Sequence, residues 1–224
     1  MNVLGIDTST AASAACVLRA DGEAFEVEPA PERLGERPGH ASELMPAVAD
    51  CMERAGLGWA ELDAIAVGVG PGAFTGLRIG VTTARALAHA HGTELRPVSS
   101  LGALAEAVGG EAPTLSVIDA RRGEVFAALY SDGQRIWEPF AAAPDALAQR
   151  LRDENRTPLA AGAGAVRFRG VLEAAGADVP PDDSRAHVVR GIAVCRLGAR
   201  AAPEPVDAVL PDYLRLPDAK PRPQ

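Results

Sequence analysis

The sequence predicts a mixed α/β fold in two lobes, each a mixed β-sheet flanked by helices. Three observations predict it. Residues 3–7 (VLGID), 13–19 (SAACVLR) and 23–28 (EAFEVE) read as three consecutive strands. After residues 109–113 (GGEAP) the pattern restarts with strands at 114–119, 124–130 and 134–137. In both halves the meander then gives way to alternating helices and strands. The implied lobes are residues 1–108 and 109–216, with a proline-rich tail at 217–224.

Taken in order, the opening strands are joined first by TSTAA and then by Asp21-Gly22, a pair suited to a tight turn. After a loop over 29–39, residues 40–56 carry helical periodicity, with Leu44, Val48, Cys51 and Ala55 on one face. Pro46 fits this helix only in its first turn or at a kink. Residues 62–70 (LDAIAVGVG) are apolar on both faces, as in a strand covered by helices. They lead through PGAFTG into a helix over 76–91, a short strand at 95–98 and a helix at 100–108. In the second half the Asp132-Gly133 turn precedes an edge strand, and Pro144 opens a short helix to residue 152. A buried strand at 159–161 and a long helix over 187–202 follow. From Pro203 onward six prolines in 22 residues exclude regular structure, and beyond Leu216 the chain is expected to be extended and partly disordered. Two such units describe a duplicated core of the ribonuclease-H or actin type.

At 224 residues the chain can bury a sizeable core without disulfides or metal. Its start has neither a basic segment nor an apolar run of signal-peptide kind, and no window reaches a membrane-spanning length, so a cytoplasmic location is expected. Cys16, Cys51 and Cys195 are odd in number and far apart, which argues for buried thiols rather than a disulfide framework or zinc site. The net charge of −8 repels a phosphate backbone, so any nucleic acid is expected to be held mostly by another subunit. Lys220 is the single lysine. The chain therefore has neither a phosphate-binding P-loop lysine nor a pocket amine for Schiff-base chemistry.

The segment Gly68 to Gly80 (GVGPGAFTGLRIG) carries the most information. A strand passing through a glycine-rich turn into a helix start is suited to an anion, so Asp7, Thr8, Gly70, Gly72 and Thr75 form a candidate phosphate- or nucleotide-binding loop. The same glycines also suit tight turns with no ligand, and Asp7, Thr8 and Ser9 could simply satisfy backbone donors. In the helix that follows, Leu77, Val81, Ala84 and Ala88 form one apolar face, while Ile79, Thr83, Ala86 and Ala90 form a second, nearly opposite. Arg78, Thr82, Arg85 and His89 lie between the two. One buried face suffices for a surface helix, so the second implies another layer. The small residues Gly76, Gly80, Thr83 and Ala86 would let that layer approach closely. In the preceding helix Met45, Ala49 and Met52 widen the apolar arc. These positions form a candidate partner interface, the alternative being that the chain's own lobes cover them.

The motifs IDTST, GVGPGAFTGLRIG, IDARRGEVFAALY (118–130) and PDYLR (211–215), in this order and spacing, resemble the TsaB family, also called YeaZ. The similarity spans most of the chain and is strongest over residues 1–130. The resemblance implies an actin-like (ASKHA) subunit that is not itself catalytic and binds no cofactor alone. It implies pairing with a TsaD-type catalytic subunit that carries the metal, service by a TsaE-type ATPase, and homodimers through the same helices when alone. The product would be threonylcarbamoyladenosine beside the anticodon of tRNA, reached through the complex.

TsaD-type relatives hold their metal with two histidines one helical turn apart; here only His40 occupies the comparable place, with Leu44 four residues on. His89 and His91 point apart on their helix, and His187 stands alone, so no metal site is expected. Asp119 heads the turn of the second meander, and the nearby Arg121 and Arg122 could meet partner carboxylates or tRNA phosphate, the alternative being a solvated turn. An actin-fold small-molecule kinase and a glycoprotease-like metallopeptidase are the rival functions.

Overall fold

The computed structural model describes residues 1–110 and 112–214. Its first sheet contains β1 (Val3–Asp7), β2 (Ala14–Leu18), β3 (Ala24–Val27), β4 (Ala64–Gly70) and β5 (Glu94–Ser99), in the order β3-β2-β1-β4-β5. The meander β1–β2–β3 is antiparallel, whereas β4 and β5 run parallel to β1. Both sheet faces are covered, and the two-residue period of the strands divides their side chains between two cores. Leu4, Ile6, Val17, Ile65 and Val67 pack beneath α1 (His40–Ala55) and α2 (Phe74–His91). Val3, Cys16 and Ala66 point the other way, toward α3 (Ser100–Val108) and α7 (Gly191–Arg200).

The second sheet has the order β10-β6-β7-β8, from β6 (Thr114–Arg121), β7 (Glu124–Ser131), β8 (Gln134–Arg135) and β10 (Leu159–Ala161). A short strand, β9 (Phe140–Ala142), pairs with β7. Asp132 and Gly133 both take positive φ, the backbone required by a tight two-residue hairpin turn. Ile118, Phe126, Ala128 and Ala161 share the α3/α7 core with the first sheet. Leu115, Val117 and Leu129 face α4 (Pro144–Asp153), α5 (Ala163–Arg167) and α6 (Arg169–Glu173). The molecule is thus layered as α1/α2, sheet, α3/α7, sheet, α4–α6. This is the expected two-lobed, actin-like α/β arrangement, and each buried Leu in it stabilises by about 1.5–3 kcal/mol.

Three details differ from the sequence-based expectation. Helix α7 begins at Gly191 rather than at residue 187, because Ser184 caps a separate 3-10 turn over Arg185–His187. It also lies against the first sheet: a Cβ at Gly5 would stand 2.7–2.8 Å from Cys195 and the Gly191 carbonyl. The chain continues along that lobe, where Glu204 N–H donates to the Leu95 carbonyl at 2.9 Å and Asp212 N–H to the Val69 carbonyl at 2.7 Å. A division at residues 108/109 separates the two sheets, but residues 191–214 belong spatially to the first. Finally, α1 runs through Pro46, beyond its first turn, with the ring exposed. The expectations for residues 217–224 lie outside the described residues.

Candidate functional site

The α1/α2 layer has an inner and an outer face. Helix α1 buries His40, Leu44, Val48, Cys51, Met52 and Ala55, and α2 buries Gly76, Leu77, Gly80, Val81, Ala84 and Ala88. Both helices end at a left-handed glycine, Gly56 and Gly92, which accounts for their C-terminal boundaries. On the outer face Met45 is 42% exposed, Ala49 and Ala86 are exposed, and Ile79 and Thr83 are half-buried. Met45 and Ala49 are one turn apart on α1, and Ile79, Thr83 and Ala86 follow successive turns of α2. The result is an uncharged stripe of apolar and small side chains on each helix.

Three predicted interface residues do not belong to this surface. Gly76 and Gly80 are small because Thr8 lies against them: its hydroxyl donates to the Gly76 carbonyl at 2.7 Å. A Cβ on Gly76 would strike the Thr8 carbonyl, and one on Gly80 the Thr8 Oγ1. Met52 is 6% exposed and packs in the core beneath α1. The close approach foreseen from the glycine spacing is therefore made by the chain's own first turn.

The candidate phosphate loop is also corrected by the geometry. Asp7 is fully buried; its Oδ1 accepts Ser9 N–H at 2.7 Å and Ser9 Oγ–H at 2.6 Å, and its Oδ2 accepts Ser100 Oγ–H at 2.6 Å. Burial pushes this carboxyl above its usual range, opposed by those serine hydrogen bonds. Its other neighbour is Gly68, where any Cβ would overlap the carboxylate. Gly72 packs on the Ser9 carbonyl, which also accepts Ala73 N–H at 2.7 Å, and Gly70, at φ 121°, lies against the Asp212 carbonyl. Thr8 is engaged with α2. Of the five positions only Thr75 is exposed, so they do not form an open cradle.

The basic stripe of α2 is strapped down by the C-terminal segment, a contact invisible in the sequence pattern. Arg78 stacks over Phe74 at 3.7 Å and donates to the Tyr213 hydroxyl at 3.0 Å; Arg85 pairs with Asp207 at 2.9 Å. At the opposite rim, Asp119 holds the β6–β7 turn. Its Oδ1 accepts Arg121 N–H at 2.8 Å, and its Oδ2 pairs with Arg167 at 2.8 Å and Arg121 at 3.5 Å. Arg121 and Arg122 both have positive φ and exposed side chains.

Two openings flank these elements. One, of about 530 Å³, lies where Glu32 and Glu36 face Asp119, Arg121, Arg167, Asp182 and Asp183. Five carboxylates against two guanidinium groups repel a polyphosphate. The second, of about 590 Å³, lies between the starts of α1 and α2 beside Arg37, His40, Thr75, Ile79 and Arg121. Among the described residues no three His, Cys, Asp or Glu side chains gather as metal ligands. His187 is fully buried, accepting Gly162 N–H at 3.2 Å, and His91 stacks on Trp59 at 4.7 Å. The three thiols are free and buried, with Cys51 pushed up to about 11 by burial, which makes it a poor nucleophile. No helix among the described residues is long and apolar enough to cross a membrane.

Known proteins share this sequence and architecture. The sequence model of the family described as TsaD: tRNA N6-adenosine threonylcarbamoyltransferase matches residues 34–168. An uncharacterized protein of Mycobacterium leprae is 44% identical over 63% of this chain, a match spanning 39% of that protein's own length. The tRNA threonylcarbamoyladenosine biosynthesis protein TsaB of Bacillus subtilis is 30% identical, with 98% of this chain and 96% of that protein covered. The solved structure of YeaZ from Pseudomonas aeruginosa matches with a TM-score of 0.76 at 26% identity, over 95% of this chain and 100% of that one. With that identity and coverage, and with the matching architecture of the solved structure, the chain belongs to the TsaB (YeaZ) family.

Proposed function

We propose that the chain is a non-catalytic subunit of tRNA threonylcarbamoyladenosine biosynthesis, acting in the cytoplasm by pairing with a TsaD-type catalytic subunit through the outer face of α1 and α2. The observation that carries this reading is the uncharged outer stripe, with Met45 42% exposed beside Ala49, Ile79, Thr83 and Ala86. Small and adaptable side chains on adjacent helices suit helix-on-helix packing. The same surface would form homodimers when the chain is alone. A TsaE-type ATPase would act on the heterodimer, and tRNA would be held through the assembly. Asp7, enclosed by Ser9 and Ser100, has no open path to a nucleotide, and the acidic opening disfavours one, which weighs against an independent kinase. Buried thiols likewise give little support to a peptidase nucleophile.

Co-purification with a TsaD-type protein tests the pairing. Wild type is expected to give a heterodimer, and Ala49→Arg and Ala86→Arg to lose it, since an unpaired charge in a packed interface costs about 3–5 kcal/mol. Both side chains are exposed, so thermal melts of the free variants should match wild type. Normal pairing by both variants would move the interface elsewhere. Modification of tRNA by the chain alone, without the partner and ATPase, would overturn the non-catalytic role.

A further inference from the structure

The C-terminal segment runs along one flank of α2, and pairing through the two helices alone gives it no role. Arg85 pairs with Asp207 at 2.9 Å and Arg78 donates to the Tyr213 hydroxyl at 3.0 Å, so the segment lies antiparallel to the helix. The two arginines are about 10.5 Å apart along the helix axis, and Leu210 falls midway between their partners, level with Thr82. At 100° per residue Thr82 lies about 40° from Ala86 and about 60° from Ile79, which sets the segment against the edge of the outer stripe. On the other flank of α2, His40 of α1 lies against Gly76. The helices α1 and α2 and the segment therefore lie side by side in that order.

The side chains of the segment divide sharply. Val206 and Val209 pack on the core beneath α2, Val209 at 1% exposure, whereas Leu210 turns outward and is 62% exposed. Among the described residues Leu210 is the most exposed of the large apolar side chains, and Met45 of α1 is another of that small group. Exposed apolar side chains thus stand on both sides of the uncharged stripe of α2. A single exposed leucine is ordinary, but one continuous with a larger apolar surface widens it.

The charges on this flank are already answered. Arg78 stacks over Phe74 and meets Tyr213, and Arg85 is held by Asp207, whose own side chain is 98% exposed. So exposed a pair contributes little to the stability of the free chain. A guanidinium covered by a partner subunit without its counter-ion would be costly, and Asp207 removes that cost in advance.

We propose that residues 206–213 form a third strip of the docking surface for the TsaD-type subunit, an inference resting on the pairing through α1 and α2 proposed above. The partner covers Leu210, and Asp207 neutralises Arg85 as water leaves that flank.

The test is calorimetric titration of full-length variants with the TsaD-type subunit, accompanied by thermal melts of the free chains. Leu210→Asp should melt as wild type does and weaken pairing by at least about tenfold, since it places a carboxylate under the partner. Asp207→Ala strands the Arg85 charge and should weaken pairing about tenfold, and the Arg85→Ala, Asp207→Ala double variant should recover most of that loss. A segment that only braces α2 predicts otherwise, because the double variant lacks the same brace and would pair no better than Asp207→Ala. That result, or wild-type affinity in Leu210→Asp, would overturn the proposal while Ala49→Arg still abolishes pairing. Normal pairing by Ala49→Arg and Ala86→Arg would instead remove the α1/α2 reading, and this strip with it.

Discussion

The Thr8 hydroxyl donates to the Gly76 carbonyl at 2.7 Å and lies against the bare Cα of Gly80, so the first turn of the chain is keyed into the first two turns of α2. Gly80→Ala is expected to destabilise the fold by about 1–3 kcal/mol through overpacking. Removing the obstructing hydroxyl in a Thr8→Ala, Gly80→Ala double variant should recover part of that loss. Chemical denaturation of the four forms measures the coupling; additive effects would mean that the two residues do not share the contact.

The two methionines of α1 are expected to separate stability from pairing. Met52 is 6% exposed within the core, so Met52→Ala should cost about 2–5 kcal/mol. Met45 is 42% exposed, so Met45→Glu should leave stability within about 0.5 kcal/mol of wild type while weakening heterodimer formation. Denaturation midpoints and analytical ultracentrifugation with the partner give both readings.

The boundaries of α3 and β10 were legible because they coincide with sharp changes in pattern: α3 opens after Ser99, whose hydroxyl accepts Gly102 N–H at 3.2 Å. The inner and outer faces of α2 were legible from its period. Helical spacing of Gly76 and Gly80 announces close packing but not its partner, and Thr8, 68 residues away from Gly76, supplies it. The short elements β9, α5 and α6 lacked enough turns for a period to show, and Ala163 to Ala165 are small. The proline-rich segment after Pro203 was foreseen as irregular. Its attachment to α2 depends on single long-range contacts such as Arg78 to Tyr213, which leave no periodic trace.

Asp7 is a buried carboxyl whose solvation is replaced by Ser9 and Ser100. Its folded pKa is raised by burial above the usual 3.8, so its contribution to stability is full below that pH and is lost as pH rises through the folded value. Asp7→Asn keeps an acceptor and removes the charge, and should gain stability relative to wild type as pH rises above 3.8. Asp7→Ala strands the serine hydroxyls and should cost about 1–3 kcal/mol. Denaturation across pH checks both; a wild-type advantage over Asp7→Asn that grows with pH would contradict the assignment.

His40 carries the opposite linkage. Burial lowers its pKa below the usual 6.5, partly offset by the negative charge of Asp7 and by the Thr10 backbone. Below pH 6.5 the unfolded chain therefore takes up a proton that the folded chain resists, so this contribution to stability is present above 6.5 and is lost as pH falls through the folded value. His40→Gln retains a neutral polar side chain without the titration. Its stability should accordingly fall less steeply than wild type on acidification from pH 6.5, measured by denaturation at closely spaced pH values. Equal slopes for the two proteins would place the titrating group elsewhere.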